Sequence, residues 1–202
     1  MDLTELAEHF PNLWHVTFAG GWEGIQRQGL LRAVDVAPKE ADAFRPEVHR
    51  VEGADGLAVT LRDQVTSRSD PAPYLDGITP AQWWSLINGR VYFFRKKEDA
   101  TDLLEVYLGK GHAQEVVRVR TKAALEAVAG QVEVTTVNAG TFPRTKGPSR
   151  GPATFIPLAD YPVAAVAKIQ EVTVTVKVPL ASPAVFSVVG HEAGSGSTRL
   201  FP

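Results

Sequence analysis

LWHVTFAGGWEGIQRQGLL, residues 13–31, is the stretch whose reading decides the fold. Leu13, His15 and Thr17 alternate with Trp14 and Val16, the period of a strand. After Gly20 and Gly21 the period changes. Trp22 and Ile25 share a helical face, and Gly29 supplies the left-handed cap that ends a short helix. The histidine in that strand is either a hydrogen-bonded core group or a ligand-binding one, and the stretch alone favours the first.

Outward from it, the elements alternate irregularly. Asp2 and Glu5 form a capping box for a helix whose Leu3, Leu6, Ala7 and Phe10 share one face, and Pro11 breaks the pattern. Residues 32–55 are mixed, charged and Pro-containing and read as a surface excursion. GLAVTLRDQ, from Gly56, reads as a strand ending in a polar cluster. Thr79 and Pro80 open a helix that stops near Gly89, and RVYFF (90–94) is dense in strand formers. A helix over EDATDLLEVYLG, a strand at QEVVRVR, a helix at TKAALEAVAG and a strand at QVEVTTV follow. The Gly- and Pro-rich run from Asn138 to Pro162 cannot be regular throughout. AKIQEVTVTVKV carries Val172, Val174, Val176 and Val178 on one face and Ile169, Glu171, Thr173 and Thr175 on the other. AVFSVV reads as a last strand. Without regular βαβ alternation the fold class is α+β, in one domain over residues 1–189, with residues 190–202 as a flexible tail.

Composition bounds the function. The chain has 202 residues, 44% hydrophobic and 22% charged, with a formal net charge of −2. That charge argues against a generic nucleic-acid coat. There is no cysteine, which excludes disulfides, thiol nucleophiles and thiolate metal sites and suits the cytoplasm. No apolar run is long enough to span a membrane, and the N-terminal sequence has neither signal-peptide nor transit-peptide character. Phosphate-loop, Rossmann and nucleophile-elbow motifs are missing, and the five histidines are scattered, so no metal site is expected.

Four features remain: His15 with Thr17, Arg62 in LRDQ, Tyr92 in RVYFF, and Glu171, a lone carboxylate in a β-branched run. Each has an ordinary structural explanation. Together, HVT with GIQRQGLL, RVYFF and QEVTVTVKVP resemble the ADP-ribosyltransferase superfamily, in the branch of DarT-type DNA-modifying toxins and KptA-type RNA 2′-phosphotransferases. The matches run in order from Leu13 to Pro179. The resemblance implies two packed, mainly antiparallel sheets around a central NAD cleft with flanking helices. It implies that His15 and Thr17 hold the ribose and backbone of NAD, Tyr92 packs on nicotinamide, Arg62 binds the pyrophosphate with Arg90 as fallback, and Glu171 is catalytic.

The implied reaction is mono-ADP-ribosyl transfer from NAD, with no metal, to an acceptor for which nucleic acid is slightly preferred. A toxin or defence role, restrained by an antitoxin or immunity partner, fits that branch. The loop 138–150 is the implied target-recognition segment, with Arg144, Lys146 and Arg150 for phosphates and Phe142 to stack on a base. Two departures matter. Ile169 stands where protein-arginine-modifying members carry an acid or glutamine, which disfavours arginine on proteins. HVT replaces the His-Gly-Thr of KptA-like enzymes. An NAD glycohydrolase, a KptA-like phosphotransferase, a small-molecule acceptor and a non-catalytic nucleotide-binding protein stay open as alternatives.

Overall fold

A computed structural model describes all residues except 53–55, 57, 65–70, 143–146, 181–183, 195 and 202. Six α-helices and ten strands are formed by the described residues: α1 (Leu3–His9), β1 (Asn12–Phe18), α2 (Gly21–Gln28), α3 (Ala33–Val36), β2 (His49–Glu52), β3 (Ala58–Leu61), α4 (Pro80–Asn88), β4 (Val91–Phe94), α5 (Lys97–Gly109), β5 (Gln114–Arg120), α6 (Thr121–Leu125), β6 (Val132–Thr135), β7 (Ile156–Pro157), β8 (Glu171–Val174), β9 (Val185–His191) and β10 (Ser197–Phe201). The helix starts follow their cap chemistry. Asp2 accepts from the Glu5 amide at 2.9 Å while the Asp2 amide donates to Glu5 at 2.8 Å. Thr79 and Gln82 repeat the arrangement at α4.

The class is α+β, with an eight-stranded sheet in the order β10-β9-β5-β1-β4-β8-β6-β7 and a two-stranded ribbon, β2-β3. Every pairing between these strands is antiparallel. The large sheet is uneven. β1 pairs with β5 along seven positions, from Asn12 opposite Arg120 to Phe18 opposite Gln114. β1 meets β4 at one position, Trp14 opposite Phe94. The sheet is therefore two four-stranded halves joined at a point. The expected pair of packed sheets takes this form instead, one parted sheet plus a ribbon.

Two apolar clusters cover the sheet. The first holds Leu13, Phe93, Val117, Val119, Val172 and Val174 with Leu6, Trp22 and Ile25 from the helices. The second holds Trp83, Trp84, Ala139, Phe142 and Phe155. Gly29 (φ +79°) earns its place by contact as well as conformation. A Cβ there would stand 2.4 Å from the Val178 carbonyl, against which Leu30 pairs at 2.9 Å in both directions.

Three sequence expectations are corrected. Residues 190–202 are not a tail throughout: β10 pairs with Val188–His191, and the Phe201 ring lies 5.6 Å from that of Trp22. Gly194 and Gly196, which suggested a tail, lie between β9 and β10. The excursion over 32–55 contains α3 and β2, the latter needing β3 as its partner. The long strand expected up to Val178 stops at Val174.

Candidate active site

A cleft of ≈ 690 Å³ lies where the two halves of the sheet part. That is an ordinary size for a small-molecule or cofactor site. Its walls include His15, Thr17, Arg62, Arg90, Tyr92 and Glu171, all six residues expected to hold NAD or act on it. The parting is what brings them together. In a continuous sheet His15 and Thr17, on the Leu13 side of β1, would face away from Glu171. That carboxyl lies in the cross-strand row Trp14–Phe94–Glu171–Thr135 on the opposite side.

Two of these side chains also close the gap. Beyond Trp14 and Phe94 the facing strand edges no longer pair, which leaves backbone carbonyls to satisfy. His15 Nδ1 donates to the Tyr92 carbonyl at 2.8 Å. Arg62 Nη2 donates to the Val16 carbonyl at 3.0 Å and to Gln114 Oε1 at 3.1 Å. A carbonyl only accepts, so the bond fixes the His15 proton on Nδ1 and leaves Nε2 as an acceptor. Burial, opposed by the Tyr92 hydrogen bond and aided by the Arg62 charge, lowers the His15 pKa to about 4, so the ring is neutral at pH 7.

Arg62 sits between the rings of Tyr107 (4.3 Å) and Phe18 (5.0 Å). Its Nη1 is buried with no hydrogen-bond partner among the described residues. Behind it, Arg45 donates from Nε to the Arg62 carbonyl at 3.1 Å and from Nη2 to Asn88 at 2.7 Å. Neither arginine forms an ion pair among the described residues. A buried cation, Arg45, and a half-buried one, Arg62, whose buried Nη1 is an unspent donor, suit an anionic group such as a pyrophosphate. Arg90, the fallback, is already committed. It holds Glu133 at 2.7 and 3.2 Å, donates to the Leu86 carbonyl at 2.6 Å and lies 3.8 Å from the Phe155 ring centroid.

Glu171 is 5% exposed. Its Oε2 accepts from the Ala139 amide at 2.9 Å and lies 3.3 Å from Thr135 Oγ1. Burial lifts its pKa to about 7, against the pull of those two bonds and of the Arg150 charge, and Asp99 adds a smaller upward push. Thr135 gives its one hydroxyl proton to the Val137 carbonyl at 2.6 Å. The contact with Oε2 is then best satisfied when the carboxyl carries the proton. Tyr92 stands two residue pairs along β4, opposite Thr173, with its hydroxyl buried and unpartnered among the described residues. Burial first, then the Glu171 charge, raises its pKa well above the usual value, so it is a neutral phenol.

The expected recognition loop is different. Phe142 is buried in the second cluster, its ring 5.4 Å from Tyr74 and 6.1 Å from Trp83, and is not placed to stack on a base. Arg150 is 4% exposed and turned inward, donating to the carbonyls of Pro148, Asn138 and Thr141, so it braces the loop. Arg144 and Lys146 lie outside the described residues.

Sequence reading missed Glu115, 5% exposed, whose carboxylate receives the Gly20 and Trp22 amides at 2.8 and 2.7 Å. It caps α2 from the neighbouring strand, opposite Thr17. It also missed Gln114, Arg45 and Asn88. The only signal was a polar Gln-Glu pair placed ahead of the valines of β5. Among the described residues, no group of three or more His, Cys, Asp or Glu residues could hold a metal, and no helix is long and apolar enough to cross a membrane.

No curated protein and no solved structure matches the chain. Residues 11–185, from the residue before β1 to the first residue of β9, match the family described as "Family of unknown function (DUF7002)". The chain belongs to that family.

Proposed function

We propose that the chain is a mono-ADP-ribosyltransferase, which cleaves NAD at the bond between nicotinamide and ribose and passes ADP-ribose to an acceptor. The observation that carries this reading is the convergence of His15, Thr17, Arg62, Tyr92 and Glu171 on one cleft from four separate segments. The residues fit the group they would hold. Arg62 Nη1, buried and unspent, suits a pyrophosphate oxygen. His15 Nε2 suits a ribose hydroxyl as acceptor, and the Tyr92 ring offers a face to nicotinamide.

Glu171 supplies the chemistry. Positive charge grows on the ribose as the bond to nicotinamide lengthens. An ionised carboxylate hydrogen-bonded to the 2′-hydroxyl is stabilised more in that state than in the ground state, which lowers the barrier. The same carboxylate then takes the proton from an attacking amine or hydroxyl. With a pKa of about 7 the group is poised to accept that proton near neutrality. Support for a nucleic-acid acceptor is thinner, because Phe142 and Arg150 are committed to the loop and only Arg144 and Lys146 remain from the sequence.

The test is incubation with NAD and separate pools of DNA, RNA and protein, reading free nicotinamide and a mass gain of one ADP-ribose. Release that disappears in Glu171→Gln supports the transferase. Release without any adduct selects the glycohydrolase, and no release removes the enzymatic reading.

A further inference from the structure

Glu171 lines two cavities. Besides the large cleft, it shares a smaller one of ≈ 240 Å³ with Phe94, Asp99, Asp102, Asn138 and Gln170. The two are neighbours, since Phe94, Asn138 and Glu171 line both. Their electrostatic characters are opposed. The large cleft carries Arg45 and Arg62 beyond Glu171; the small one carries three carboxyl side chains and, among the described residues, no cationic one.

The acidic side has no ion pair among the described residues. Asp99 is half-buried and Asp102 exposed at the start of α5, and neither forms an ion pair among the described residues. Arg150 acts on Glu171 through space, yet its guanidinium is bound to three backbone carbonyls and does not line the cavity. Glu171 itself, 5% exposed, uses only Oε2 in hydrogen bonds among the described residues. Its Oε1, at the junction of the two cavities, takes no hydrogen bond from a described residue. Phe94 adds an aromatic wall, which attracts an ammonium group by its quadrupole. A phosphodiester brought into this space would meet two carboxylates that no described residue pairs, whereas an ammonium would find hydrogen-bond acceptors of opposite charge.

We propose that the small cavity is the acceptor site, and that it selects a small cationic molecule bearing a second, nucleophilic hydroxyl or amine. The inference rests on the NAD-cleaving reading above and names its acceptor. The ammonium is anchored by Asp99 and Asp102, and the nucleophile one short linker away faces the ribose. Its oxygen or nitrogen forms a bond to ribose C1′. The bond from C1′ to nicotinamide breaks, and its electron pair leaves with neutral nicotinamide. The proton lost by the nucleophile passes to ionised Glu171 and from there to solvent. NAD supplies the only co-reactant.

A matched pair of acceptors tests it. 4-Amino-1-butanol and 1,4-butanediol offer the same attacking hydroxyl and differ in the anchoring charge; kanamycin and single-stranded DNA and RNA oligonucleotides complete the series. Each is incubated with the full chain and NAD, reading nicotinamide and the ADP-ribosylated product by mass. The expected result is a product with aminobutanol or kanamycin, with kcat/KM at least about tenfold above the diol, the scale of one charge-assisted hydrogen bond. Asp99→Asn/Asp102→Asn should abolish that preference. Asp99→Asn should also shift the acid limb of nicotinamide release downward, a change that a merely structural role would not give. Equal rates with the diol, or adducts on an oligonucleotide that survive the double substitution, would overturn the proposal while leaving NAD cleavage standing. No nicotinamide with any acceptor would overturn both.

Discussion

The two sides of β1 are built from the same kinds of residue and end up with different work. Toward β5 the strand pairs along seven positions; toward β4 it pairs at one. On the fully paired side the backbone satisfies itself, and Val117 and Val119 join the core. On the parted side, His15 and Arg62 take over two carbonyls that the ladder leaves, and the opening becomes the cleft. Polar side chains are tolerated there because the parting supplies both a hydrogen-bonding need and a volume. Binding and structure are thus not alternative roles for His15. The bond from Nδ1 that closes the seam is what leaves Nε2 available to a ligand.

The comparison can be broken on either side. Phe142→Ala, in the second apolar cluster, should have the largest effect on stability. A loss of about 3–5 kcal/mol is expected from a buried aromatic, read as the shift of a denaturation midpoint. If NAD affinity per folded molecule falls instead with no loss of stability, the loop is a binding element after all.

Glu171→Gln is predicted to stabilise the protein above neutral pH. The folded-state pKa, about 7, lies above the ordinary value of 4.5. Folding therefore favours the protonated carboxyl, and the contribution of this group is greatest below about pH 4.5 and is lost as pH rises through 7. The substitution removes that loss, a gain on the order of 3 kcal/mol at pH 8, measured by thermal denaturation across pH. A variant less stable than wild type at pH 8 would place Glu171 among structural groups.

His15→Ala should cost about 1–3 kcal/mol, because the Tyr92 carbonyl loses its donor, and should weaken NAD binding as well. Loss of stability with unchanged NAD affinity would make the seam its whole role. Arg62→Lys should be the mildest. It keeps the charge and loses the fork, raising the dissociation constant for NAD roughly tenfold in calorimetry. Arg90→Gln, in contrast, should leave that constant unchanged while breaking the Glu133 pair.

Where local chemistry decides the structure, the elements were readable. Asp2, Thr79 and Gly29 announce their helix ends, and Val172 and Val174 announce the buried face of β8. The site residues on the parted seam were readable as types out of place: a histidine and a carboxylate in strands. The parting itself was not, because alternation gives a strand two faces but says nothing of where its neighbour leaves. Phe142 and Arg150 were misplaced for the same reason. Composition makes a Gly- and Pro-rich loop look like surface, whereas Trp83 and Tyr74, distant in sequence, help to cover Phe142. β10 depended on β9 for its pairing and on Trp22 for its cover. Glu115 was hidden because its partners are backbone amides nearly a hundred residues earlier.

Nicotinamide release from NAD, followed from pH 5 to 9 for wild type and Glu171→Gln, tests the central claim most directly. The parted-sheet account predicts release by wild type that rises through an apparent pKa near 7 and a loss of about 10²–10³-fold in Glu171→Gln, with NAD still bound. Equal release by the two proteins, or none by wild type at any pH, would contradict it.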